Sequence, residues 1–239
     1  MLHLKSSPLA GAGLFLAVFG MMLWGGALAP AAQNALPVEN GVFSILSGQR
    51  QIGTEKFKIT TLASGLEATG EIQVDMPGSP RTSESCSLKL DGKLQPLSYE
   101  RQQKSPKKGS ISMQFGSPQT KLTSKTGAGA EDRVFFLPDN HLAVLDTNFF
   151  HHYSILLRQY DSSQPGPQQF NVFIPQEAMP GTISLNLLGK ETQTTGKTER
   201  ELNHFQAVTE EVKIEIWASP QGEIYRISIP QANLEVVRQ

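Results

Sequence analysis

Cysteine is nearly absent: Cys86 is the only one in 239 residues, so no disulfide can cross-link the chain and stability must come from burial. Net charge is nearly absent too. Lys and Arg number 21 against 22 Asp and Glu, which rules out a bulk electrostatic case for nucleic acid. There is no G-x-G-x-x-G, no P-loop, no C-x-x-C and no G-x-S-x-G, so the usual cofactor, nucleotide and serine-nucleophile signatures are missing. No two histidines stand at i and i+4, the spacing of a zinc helix. Acids are missing from residues 101 to 130, where Arg101, Lys104, Lys107, Lys108, Lys121 and Lys125 cluster.

An uncharged run at the start takes in Ser6 to Gln33, behind His3 and Lys5. Its order is that of a secretory signal: a short basic region, an apolar stretch from Leu14 to Trp24, then small residues at Ala27, Ala29, Ala31 and Ala32. Cleavage is expected after Ala31, since Pro30 disfavours the bond after Ala29. Residues 1–31 then form the leader and residues 36–239 a single β-rich domain, exported to the periplasm or beyond. If retained, the run is long enough to anchor the chain, since about 20 apolar residues span a bilayer.

The rest alternates with period two. Leu66-Glu67-Ala68-Thr69-Gly70-Glu71-Ile72-Gln73-Val74-Asp75 has an apolar or small residue at every even position. Such a segment is a half-buried strand. The same reading fits residues 42–46, 56–60, 110–115, 170–174, 182–187, 212–217, 224–229 and 234–236. Cys86 shares the apolar face of its strand with Leu88 and Leu90, as a small buried hydrophobe. Turn residues such as Ser64-Gly65, Asp91-Gly92 and Pro180-Gly181 separate the strands. Turns this short predict an antiparallel meander without parallel crossovers. Residues 102–109, 123–132 and 190–200 read as polar loops.

One segment follows another period. After Asp146 or Thr147, the apolar residues Phe149, Tyr153, Leu156, Leu157 and Tyr160 fall on one face of a helix ending near Asp161, ahead of Pro165-Gly166-Pro167. The fold class expected is therefore mainly β: a curved antiparallel meander, half-barrel or open barrel, with one amphipathic helix against its concave face.

Candidate chemistry is sparse. His151, His152, Asp146 and the distant His204 are the only group resembling a metal or acid–base cluster. Adjacent helical residues diverge by about 100°, so His151 is expected in solvent and His152 at the border of the apolar face, with no shared metal. Asp146 reads as a helix start. The lysine-rich region reads as a solvated hairpin or a contact for anionic head groups.

The order of segments resembles a known group. Gly48-Gln-Arg-Gln-Ile-Gly53 precedes a strand, and Leu90-Asp-Gly-Lys-Leu-Gln-Pro-Leu-Ser-Tyr99 reads as strand, turn, strand. Leu145-Asp146-Thr-Asn leads to a helix ending Leu156-Leu157-Arg158-Gln-Tyr160. The chain closes with Ile216-Trp217-Ala-Ser-Pro-Gln-Gly222 through Tyr225-Arg226 to Val237-Arg238. This is similar to exported bacterial proteins of unknown function with a lipoprotein-carrier-like (Lol-type) half-barrel. The resemblance implies an envelope protein with a concave, apolar sheet and transfers no catalytic residue.

The expectation is a non-enzymatic protein without cofactor or nucleic acid, binding a hydrophobic or amphiphilic ligand such as a lipid. Its lining is expected among Ile72, Val74, Leu88, Leu90, Met113 and Phe115, with Phe149, Tyr153 and Leu156 from the helix. The alternatives are a solid core with no cavity, an assembly module contacting an envelope protein, and a hydrolase using His152 or Asp146.

Overall fold

Segments that alternate apolar and polar residues bury one face and wet the other only as strands of a sheet. The computed structural model describes residues 38–195 and 198–239. The expected leader and its cleavage point lie outside the described residues.

The first run of strands is β1 (Glu39–Ser47), β2 (Arg50–Leu62), β3 (Gly65–Val74), β4 (Thr82–Asp91), β5 (Pro96–Ser105), β6 (Gly109–Gln114), β7 (Thr120–Thr126) and β8 (Gly129–Phe135). A second run follows: β9 (Leu142–Val144), helix α1 (His152–Gln159), β10 (Gln168–Ile174), β11 (Met179–Thr195), β12 (Thr198–Val208), β13 (Lys213–Ala218), β14 (Ile224–Ile229) and β15 (Leu234–Arg238). The fifteen strands among the described residues form one sheet, in the order β8-β7-β6-β5-β4-β3-β2-β1-β15-β14-β13-β12-β11-β10-β9. The two runs join where β1 lies antiparallel to β15. The sheet curls without closing. Near its gap the Leu142 N–H donates to Gln95 Oε1 (3.3 Å), and Phe135 meets Phe173 edge-on. The mainly β, open half-barrel with one helix is thus the architecture observed.

Four details differ from expectation. Strand β9 runs parallel to β10, because the intervening segment carrying α1 is long enough for a crossover. Residues 190–200 belong to the β11–β12 hairpin, and residues 123–132 to the β7–β8 hairpin. Strand β5 extends to Ser105 and β6 starts at Gly109, leaving only a short turn of the expected loop 102–109. Helix α1 starts at His152, since residues 146–151 form turns, with Phe149 N–H donating to the Asp146 carbonyl.

Register brings like side chains into rows across the concave face. One row reads Phe57, Gly70, Cys86, Arg101, Ile111, and the row above it Ile59, Ala68, Leu88, Tyr99, Met113. Gly70 and Ala68 on β3 leave a hollow in this face. A Cβ at Gly70 would stand 2.7 Å from His151 Cε1 and 2.9 Å from Phe149 Cδ1. The missing side chain therefore makes the seat for the turn that enters α1. Phe149, Leu156 and Leu157 from that segment complete a core shared with Phe43, Ile59, Leu88, Phe173 and Ile216.

Register also defines two rims. The β2–β3, β4–β5 and β13–β14 turns share the upper rim; the β3–β4, β5–β6 and β7–β8 turns share the lower one. Helix α1 climbs from the middle of the trough to the upper rim and stops there, where Tyr160 is extended and its hydroxyl donates to the Gly166 carbonyl (2.9 Å).

Candidate functional site

The residues expected to line a cavity all belong to, or pack against, one core cluster. Ile72, Leu88, Leu90, Met113, Phe149 and Leu156 are fully buried, and Val74, Phe115 and Tyr153 pack half-buried against them. They fill this space with one another.

Among them sits a polar cluster. Glu55 projects inward on the face of Phe57 and Ile59, and its carboxyl accepts the N–H of Phe150 (2.9 Å) and of His151 (3.4 Å). It also bonds His151 Nδ1. Glu55 thus holds the turn that leads into α1 from a neighbouring strand, while the first helical N–H groups bond back to the Phe149, Phe150 and His151 carbonyls. Asp146, expected to start the helix, caps the preceding turn instead, Oδ1 accepting the Asn148 N–H (3.0 Å) and Oδ2 the Tyr99 hydroxyl. Glu84 holds Arg101 in a two-point pair, with Oε1–Nη2 at 2.7 Å and Oε2–Nε at 3.0 Å, and it also accepts from Asn148 Nδ2.

Histidine placement overturns the sequence expectation. His151 is completely buried rather than solvated, and His152 lies in the core. Their rings stand 4.5 Å apart, because His151 belongs to the turn entering the helix rather than to its exposed side. Arg101 is likewise no surface charge.

Burial dominates the electrostatics. Desolvation pushes Glu55 up to about 8 against the opposing Phe150 and His151 N–H groups, and pulls His151 down to about 3. Near neutral pH the pair is therefore uncharged, the Glu55 hydroxyl donating to Nδ1. Desolvation also raises Asp146 to about 6, opposed by its bond from Tyr99. His152 is lowered, and the Cys86 thiol raised, by burial first.

Cys86, His151 and His152 can each present a donor atom within 4.8 Å of the others. Their protonation works against both a metal and a nucleophile. His152 Nδ1 accepts the Asp146 N–H (3.3 Å), so the ring proton sits on Nε2 and points at Cys86 Sγ, 3.8 Å away. A metal needs a thiolate and free imidazole lone pairs, and a cysteine nucleophile needs a base facing its sulfur. The arrangement supplies neither.

A different region is open. At the upper rim Leu94, Leu157, Tyr160, Leu187 and Phe205 wall a cleft of about 310 Å³. Arg158, from the last turn of α1, Ser162, Asn203 and the Pro220–Gly222 corner of the β13–β14 turn complete it. The Arg158 side chain is 6% exposed; Nη2 donates to Glu39 Oε2 (2.6 Å), while Arg238 Nη1 holds Glu39 Oε1 (2.7 Å). Arg158 Nε and Nη1 are enclosed without a partner. At the lower rim Lys104, Lys108 and Lys125 line a larger cleft of about 450 Å³. Lys121, of the same sequence cluster, pairs with Asp132 (3.0 Å).

Sequence reasoning missed Glu55, Glu84, Tyr99 and Arg158. Two of them carried a signal: Glu55 precedes Phe57, and Glu84 precedes Cys86, by two residues on a recognised apolar face. A carboxylate continuing such a face points inward. Arg158 carried none, because its enclosure depends on the distant Glu39 and Gly222.

No family model matches the chain, and neither does any curated protein. Among solved structures the chain is similar to a β-barrel-like protein of the domain of unknown function DUF1849 from Brucella abortus. Identity is 11%, the TM-score is 0.54, and the match covers 85% of this chain and 95% of that one. This likeness supports the fold. A DUF1089 family protein from Pseudomonas aeruginosa matches at 9% identity and TM-score 0.47, over 74% of this chain and 89% of that one.

Proposed function

We propose that this is an exported, non-enzymatic binding protein that holds the apolar chain of an amphiphile at the upper rim of its half-barrel. The observation that carries the reading is the rim cleft, about 310 Å³ walled by Leu94, Leu157, Tyr160, Leu187 and Phe205. Small-molecule sites are typically concave, largely apolar and a few hundred Å³ in volume, with a small number of polar groups fixing orientation. The space beneath the helix, expected from sequence to be the seat, is occupied by side chains; a chain reaching it has to lift α1. The protonated thiol and the His152 tautomer support binding over catalysis. Export rests on the leader-like first 31 residues.

N-phenyl-1-naphthylamine, an uncharged apolar fluorophore, tests this. Its emission is expected to rise on mixing with the full chain and to fall again when decanol competes. Leu187→Asp places a charge in the wall at a half-buried position, and is expected to abolish the signal without loss of the cooperative melt. Absence of any emission change with the folded wild-type chain refutes the reading.

A further inference from the structure

The two free nitrogens of Arg158 are the least expected feature of the rim. Buried guanidinium groups are almost always met by acceptors, yet Nε and Nη1 have none. Glu39 does not supply one: its oxygens take Arg158 Nη2 and Arg238 Nη1, and neither reaches Nε or Nη1. Glu223 acts on Arg158 only through its charge. Gly222 covers the stem: a Cβ there would lie 3.1 Å from Arg158 Cγ and 3.7 Å from Nε. So a glycine corner of a rim turn is what lies over these donors, and that corner also lines the apolar cleft.

We propose that the amphiphile held in this cleft carries a carboxylate or phosphate head, whose oxygens take up Arg158 Nε and Nη1 as the Pro220–Gly222 corner moves aside. The proposal rests on the apolar-chain reading above and adds the head-group class. A cationic head is disfavoured by Arg158 and Arg238, and a hydroxyl head forms weaker, uncharged bonds. Glu39 and Glu223 oppose an anion, so recognition depends on direct contact with the guanidinium rather than on net charge.

Competition against bound N-phenyl-1-naphthylamine with decanoate, decyl phosphate and decanol separates the cases. Decanoate and decyl phosphate are expected to displace the probe on the order of tenfold more strongly than decanol, as charge-assisted bonds imply. Arg158→Met is expected to remove that advantage and leave decanol unchanged. Arg238 keeps Glu39 paired in this variant; Arg158→Gln serves if the methionine variant does not fold. Equal displacement by all three, or an anion preference that survives loss of Arg158, overturns the head-group assignment. Failure of the probe and of decanol to bind at all overturns the cleft itself.

Discussion

The two ends of helix α1 meet the sheet in opposite ways. At its start every carboxyl is occupied: Glu55 holds two backbone N–H groups and a histidine, Asp146 an amide and a tyrosine, and Glu84 an arginine and an asparagine. At its end Arg158 leaves two nitrogens unmet, and Gln159 Nε2 is unmet too. Both regions are enclosed, so burial alone does not separate them. The start is a lock whose carboxyls are all taken, although His151 Nε2 and Ser154 Oγ there are unmet; at the end two N–H groups of a charged guanidinium go unmet. Those of Arg158 belong to a side chain that borders the open cleft, where a ligand can reach them.

Replacing a member of the lock is expected to give the largest effect. Glu55→Ala strips the acceptor from the Phe150 and His151 N–H groups and the donor from the His151 ring, and should cost about 3–5 kcal/mol in urea denaturation. Glu55→Gln, which keeps an acceptor oxygen, should cost much less. If both variants lose the same amount, the carboxyl merely fills space.

Next in size is Gly70→Ala. The added methyl meets the His151 and Phe149 rings under 3.0 Å, and overpacking of this kind costs about 1–3 kcal/mol. A variant as stable as wild type in a thermal melt would mean that the turn entering α1 does not rest on β3.

Titration sharpens the contrast further. Folded Glu55 titrates near 8, above its ordinary 4.5, so the folded state binds more protons than the unfolded one between those values, and stability falls as pH rises through them. His151 is lowered from 6.5 to about 3, which makes stability rise with pH in that lower range. The two trends oppose below about pH 6.5, and only the Glu55 trend remains from there to about 8. Stability should therefore decline over that upper interval in wild type and stay level in Glu55→Gln.

A smaller effect than that of Glu55→Ala should come from the open end. Arg158→Met removes two unmet donors but also the Nη2 bond to the buried Glu39 carboxyl, which keeps Arg238, so its cost should be about 1–2 kcal/mol. A loss as large as that of Glu55→Ala would make Arg158 a structural pin and end the contrast.

What could be read in the sequence follows the same physics. Strands that bury one face show it as alternation, and β3 and β13 were legible for that reason. Strand β8 is an exposed edge, β9 has three buried residues, and the outer halves of β11 and β12 are wet on both faces. Such strands carry no period to find. The helix was recognisable from its apolar face, but its start was not, because the turn before it is held by Glu55, nearly a hundred residues earlier. His151 was misplaced for the same reason: helical geometry was extended back over residues that are turns.

The seam between β1 and β15 carries a consequence for how the protein assembles. Each run of strands is built mostly from neighbours in sequence, whereas Ser44 pairs with Val237. Loop closure over that span is the costliest single step in chain entropy. The two runs meet at this ladder and again where β2 and β3 hold the turn entering α1. Loss of a few residues from β15 should therefore bare the edges of β1 and β14 while that second contact still ties the runs together.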